Sequence, residues 1–106
     1  MSAVLNTASE DALVTVRRDD GIVTLTMNRG SQYNALSSAM MSALQVELDA
    51  IAADPQARVV VLAAAGKAFC AGHDLREMRA QPTMAFYQAL FAQCSKLMLT
   101  IQRMPQ

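Results

Sequence analysis

Between Gly66 and Leu75 the chain reads Gly66-Lys67-Ala68-Phe69-Cys70-Ala71-Gly72-His73-Asp74-Leu75, placing a thiol, an imidazole and a carboxylate among glycines and small residues. Small residues let backbone N–H groups come close to a ligand, and a helix starting just afterwards adds partial positive charge, so the loop suits an oxyanion or a phosphate. It is not a P-loop, because Gly66-Lys67 is followed by Ala68 where Ser or Thr is needed; nor does it carry the G-x-G-x-x-G dinucleotide spacing. Each reactive side chain also has a plainer role. His73, the sole histidine, has the chemistry of an acid or base, or its amide matters while the imidazole only borders the site. Asp74 stands where a helix cap is needed, and Glu77 reads as a solvated first-turn residue. Cys70 has no partner base nearby in sequence and reads as a small packing group rather than a nucleophile.

The elements that must hold this loop follow from hydrophobic period. β-Branched residues alternate over Leu13 to Val16 and Ile22 to Met27 with Asp19, Asp20 and Gly21 between them, which predicts a hairpin. Ser37 or Ser38 caps a helix in which Met40, Met41, Leu44, Leu48 and Ile51 recur at helical spacing, ended by Asp54 and Pro55. The unbroken apolar run Val59 to Ala64 predicts a strand covered on both faces, as in a β-α-β crossover. After the loop come a short helical turn around Arg76 to Arg79 and a long helix opened by Pro82 and Thr83. Its wide stripe is Phe86, Tyr87, Leu90, Phe91, Cys94, Leu97, Met98 and Ile101, before Pro105. So broad a stripe asks for more partner surface than one small sheet offers.

With 106 residues, 53% hydrophobic and 17% charged, the chain is long enough for one core and rich in apolar material, which makes self-association an expectation. Nine basic residues balance nine acidic ones, leaving no field to attract nucleic acid or an anionic membrane face. Cys70 and Cys94 lack metal-type spacing and read as reduced structural thiols, and no metal site is expected. Residues 1–11 read as a disordered leader and residues 12–106 as the domain. With no signal-type start and no stretch of about 18 apolar residues, a cytoplasmic location is expected.

The run from Lys67 to Met78 resembles the crotonase (enoyl-CoA hydratase/isomerase) signature, an F-x-A-G-x-D-[LI] core between a buried strand and a short helix. Upstream, Met27-Asn28-Arg29-Gly30-Ser31-Gln32-Tyr33-Asn34-Ala35-Leu36 resembles the family's N-R-P-x-x-x-N-A-L segment. The resemblance covers about Leu13 to Gln106, and the histidine after the glycine is similar to the enoyl-CoA hydratase domain-containing branch of that family. It implies an α/β fold, the N-terminal part of a crotonase-like ββα spiral: hairpin, helix, buried strand, oxyanion loop and helix, stopping before the second half of the core.

What the resemblance further implies is an acyl-CoA held by its thioester oxygen between two backbone N–H donors, with the first donor at His73. Donors aimed at developing negative charge stabilise an enolate, and losing one costs about 10²- to 10³-fold in rate. Gln32, Tyr33, Ala35, Ala71, Gly72, Asp74, Leu75 and Arg76 match positions along the CoA and pantetheine path, and Arg29 and Arg76 are candidates to meet CoA phosphates. Coenzyme A arrives as part of the substrate, so no separate cofactor is implied, and a homo-oligomer, trimer or hexamer, is. Two departures stand out: Gly30 replaces the usual proline, loosening the turn, and His73 replaces the commoner alanine. The family's second oxyanion donor and its acid/base glutamates match nothing in this chain. The expected role is therefore acyl-CoA binding and enolate stabilisation, with this chain alone inactive; the rival is a non-catalytic acyl-CoA-binding or oligomerising module.

Overall fold

The computed structural model describes residues 4–6 and 12–106. Alternating β-branched residues over Val14–Asp19 (β2) and Ile22–Met27 (β3) pair antiparallel, joined by Asp20 and Gly21 at φ 50° and 83°, the paired positive values that suit a tight hairpin's twist. A short strand, Val4–Asn6 (β1), pairs antiparallel with β2. The leader expected over residues 1–11 is described at this strand alone; the rest of it lies outside the described residues.

On the other side of β3, Val59–Ala64 (β4) adds in parallel, with Ile22 opposite Val59 and Met27 opposite Ala64, giving the order β1-β2-β3-β4. A parallel neighbour needs a crossover, and the helix Ser38–Ala52 (α1) supplies it. Ser37 starts that helix, its Oγ accepting the Met40 N–H at 3.0 Å. Met40, Met41, Leu44, Leu48 and Ile51 then bury against Val14 and Val16 of β2 and Val23, Leu25 and Met27 of β3. A short helix, Leu75–Ala80 (α2), leads to a long one, Met84–Arg103 (α3), capped by Thr83, whose Oγ1 accepts the Phe86 N–H at 3.1 Å.

α3 runs parallel to α1 at a constant offset. Gln93 Nε2 donates to the Ser38 carbonyl at 2.9 Å, Gln45 Nε2 to Thr100 Oγ1 at 2.9 Å, and Gln106 Nε2 to the Ile51 carbonyl at 2.8 Å, each pair 55 residues apart. Leu90 and Leu97 are the α3 residues driven into the core; Phe91, Met98 and Ile101 of the same stripe stay exposed.

The strand expected to be covered on both faces is not. Val60, Leu62 and Ala64 pack on the core, but Val59 and Val61 remain 50% and 43% exposed. The physical reason is that α3 lies against α1 instead of over the sheet's other face, and an apolar run cannot distinguish one covered face from two.

Candidate functional site

Because β3 and β4 are parallel neighbours, their carboxyl ends deliver two loops side by side, residues 28–37 and 65–74. Such an end is where open α/β sheets place their ligands. Main chain begins the joining: the Ala65 N–H reaches the Met27 carbonyl at 2.9 Å, the Ala71 N–H the Tyr33 carbonyl at 3.0 Å, and the Leu36 N–H the Gly72 carbonyl at 2.7 Å. Leu36 and His73 thereby form an isolated parallel bridge.

Asn34 completes it. Fully buried, its carboxamide donates to the Ala65 and Ala68 carbonyls at 2.8 and 3.0 Å and accepts the Arg29 N–H at 2.8 Å. Tyr33 and Asn34 hold φ of 56° and 52°, a left-handed conformation that costs a non-glycine residue about 1–2 kcal/mol. The three side-chain hydrogen bonds of Asn34, each contributing about 1 kcal/mol net, offset that strain. Gly30, expected to loosen the turn, instead packs tightly: a Cβ there would lie 2.9 Å from the Ala65 carbonyl oxygen.

At the far end of the loop Gly72 takes φ +91°, and the chain turns so that the Gly72 carbonyl faces Leu36. The N–H of His73 is engaged by none of the hydrogen bonds among the described residues. Asp74 follows as the cap of α2, its Oδ1 accepting the Arg76 and Glu77 N–H groups at 3.0 and 3.3 Å. That carboxylate is occupied in capping. Cys70 packs against the core, and its Sγ accepts the Gly72 N–H at 3.5 Å.

The His73 ring stands edge-on to Phe91 at 5.3 Å, and its Nδ1 is buried without a hydrogen-bond partner. Among the described residues, no carboxylate or hydroxyl hydrogen-bonds that Nδ1 to orient the ring for proton transfer. A groove of about 490 Å³ opens beside it, lined by Phe91, Cys94, Met98 and Leu99. A larger groove of about 670 Å³, by Ala52, Leu99 and Met104, contains none of the candidate residues.

Of those candidates, Tyr33, Ala35, Ala71, Gly72, His73 and Asp74 come together on the paired loops. Gln32 lies exposed in the 3-10 turn Gly30–Gln32, and Leu75 and Arg76 are exposed at the start of α2. The Arg29 guanidinium donates to the Ala12 and Asn28 carbonyls at 3.1 and 2.8 Å, so its Nη1 serves the fold. Glu77 departs from the solvated role expected of it: its carboxylate accepts the Ser38 N–H at 2.9 Å and the Ser38 O–H at 2.8 Å. Sequence reasoning missed Asn34 and Glu77 as parts of the site's frame. For Asn34 a signal existed, since asparagine tolerates positive φ and fills a motif position; for Glu77 none did, because Ser38 lies 39 residues away. Among the described residues, no group of three or more His, Cys, Asp or Glu could hold a metal ion, and no helix is long and apolar enough to cross a membrane.

The sequence model of the family described as enoyl-CoA hydratase/isomerase matches residues 22–106. The chain is 34% identical over 93 residues to the Xenopus laevis enoyl-CoA hydratase domain-containing protein 3, mitochondrial, covering 88% of this chain and 32% of that protein. Against its human counterpart it is 32% identical over 97 residues, covering 92% of this chain and 32% of that one. Among solved structures, enoyl-CoA hydratase from Mycobacterium smegmatis superposes with a TM-score of 0.88 at 54% identity, over 90% of this chain and 37% of that chain. The chain thus spans about a third of the length of the curated relatives it matches. The cytoplasmic location expected from the sequence is overturned: the frog and human relatives are both named as mitochondrial. The start of this sequence and its lack of a long apolar run do not fix a compartment.

Proposed function

Since the chain belongs to the enoyl-CoA hydratase/isomerase (crotonase) family, we propose that the paired loops at the ends of β3 and β4 bind an acyl-CoA thioester, whose carbonyl oxygen accepts the His73 N–H. The observation that carries this reading is a rigid turn, held through Leu36 and Asn34, whose next N–H has no acceptor among the described residues. A donor fixed in advance where charge develops on an enolate stabilises it without reorganisation. Ala71, Gly72, Asp74, Leu75 and Arg76 would border the CoA from the second loop, and Gln32, Tyr33 and Ala35 from the first. Coenzyme A enters as part of the substrate; the family is the ground for a trimer or hexamer, and the exposed apolar stripe of α3 supports association itself.

Turnover needs a base, and here a second reading gains support. The Asp74 carboxylate caps α2 and the Glu77 carboxylate, within α2, is taken by Ser38, so neither of the two stands ready for proton transfer. On its own residues this chain is an acyl-CoA binder, and whole-protein hydratase or isomerase chemistry draws its acid/base groups from elsewhere.

Calorimetric titration with butyryl-CoA, a saturated thioester, tests the proposal beside Gly72→Asp. No atom lies within 4 Å of a Cβ built on Gly72, so the new side chain meets no overlap, while φ +91° strains any side chain there and disturbs the turn that carries the His73 N–H. Saturable binding lost in Gly72→Asp supports the reading; equal heats from both proteins, or no binding by the unmodified one, sinks it.

A further inference from the structure

The arc from Gly72 to Glu77 is pinned at both ends to one short segment. On one side of His73, the Gly72 carbonyl accepts the Leu36 N–H at 2.7 Å. On the other, the Glu77 carboxylate accepts the N–H and O–H of Ser38 at 2.9 and 2.8 Å. Leu36 and Ser38 flank Ser37, the residue whose Oγ caps α1, so both anchors belong to a rigid helix start packed on the core. Glu77 is itself held on the loop side, its N–H donating to Asp74 Oδ1 at 3.3 Å. From this bracket, and resting on the acyl-CoA reading above, we infer that Glu77 is a positioning residue that fixes the direction of the His73 N–H.

Capping of α1 alone does not account for the arrangement. Ser37 already takes the Met40 N–H, and a further cap needs one acceptor oxygen, whereas Glu77 uses both of its oxygens on one residue across 39 positions of sequence. Ionised acceptors make shorter and stronger hydrogen bonds than neutral ones, so this is the stiffest of the ties on the C-terminal side of His73. Without it, that side of the arc would be held by the six-residue α2, by Met78 packed against the core and by a 3.3 Å bond from Tyr87 Oη to the Met78 carbonyl.

The test compares Glu77→Ala, Glu77→Gln and Ser38→Ala with the unmodified protein by two readouts. Amide exchange of Leu36 reports the Leu36–Gly72 bond directly and needs no ligand. In Glu77→Ala it should rise at least tenfold relative to Leu44 and Leu48 in the middle of α1, with Glu77→Gln and Ser38→Ala, which each keep part of the pairing, falling between. Infrared difference spectra of butyryl-CoA labelled at the thioester carbonyl, taken at saturation, should show the bound carbonyl band moving back toward its free position in the same order. Exchange at Leu36 that is unchanged, or that rises only in step with Leu44, would reduce Glu77 to an ordinary stabilising cap and overturn the inference. A carbonyl band unmoved in Glu77→Ala would overturn it equally. If the unmodified protein binds no thioester, the acyl-CoA reading fails, and the exchange comparison still decides whether Glu77 holds the arc.

Discussion

Gly30 and Gly66 meet backbone to backbone: a Cβ on Gly66 would lie 2.7 Å from the Gly30 Cα, nearer than side-chain atoms approach. The contact closes the two loops where they leave β3 and β4, and Gly66 also holds φ +86°. Gly66→Ala therefore combines overlap with left-handed strain, the strain alone costing about 1–2 kcal/mol. Thermal unfolding should show the midpoint falling by roughly 4–8 °C for each kcal/mol lost in a chain of this size. An unchanged midpoint would mean that the loops part freely.

Asn34 offers a sharper test because its donors and acceptor are used separately. Asn34→Asp keeps the shape but turns a donor toward the Ala65 and Ala68 carbonyls into a buried acceptor. Burial among carbonyls raises the folded-state pKa of the introduced carboxyl above its unfolded value. Its folded form is then favoured while protonated, below the unfolded pKa, and that stability is lost as pH rises through the folded pKa. Denaturant unfolding should find the variant closest to the unmodified protein near pH 4 and falling behind toward pH 7, with Asn34→Ala flat by comparison.

His73 separates backbone from side chain. If the amide is the donor, His73→Ala keeps it, and butyryl-CoA affinity should stay within about threefold, since no interaction that grows with charge on the thioester oxygen has been removed. A loss of tenfold or more in calorimetry would assign the imidazole a direct role.

Adjacent residues on α3 should differ sharply. Leu97 is 1% exposed and Met98 46%, so Leu97→Ala should cost about 2–5 kcal/mol and Met98→Ala within about 0.5 kcal/mol in unfolding measurements. Equal effects would show the Met98 face to be covered in solution, as self-association requires.

The sequence was readable where a local rule decides the outcome. Ser37, Asp74 and Thr83 all act as helix caps, Asp20 and Gly21 make the hairpin turn, and Met40, Met41, Leu44, Leu48 and Ile51 face inward as their spacing predicts. The paired motifs around Asn34 and Gly72 also fall on the two loops that main-chain hydrogen bonds join. What escaped depends on partners brought together by the crossover. The Ser38–Glu77 bracket and the Gly30–Gly66 contact join residues 39 and 36 positions apart, and no spacing rule encodes them. The exposure of Val59 and Val61 escaped for a different reason: apolar residues announce a wish for cover, and whether cover exists is decided by where α3 lies.

That strand carries a practical consequence. Among the described residues β4 pairs only with β3, so its outer rim offers a row of open N–H and C=O groups beside two exposed valines. Such a rim is a template on which another molecule's strand can grow, and encounters between molecules scale with how many are in the tube. Raising the concentration then shortens the time a sample stays monodisperse. A single lysine at Val61, by making the rim costly to pair, should lengthen that time without touching the loops.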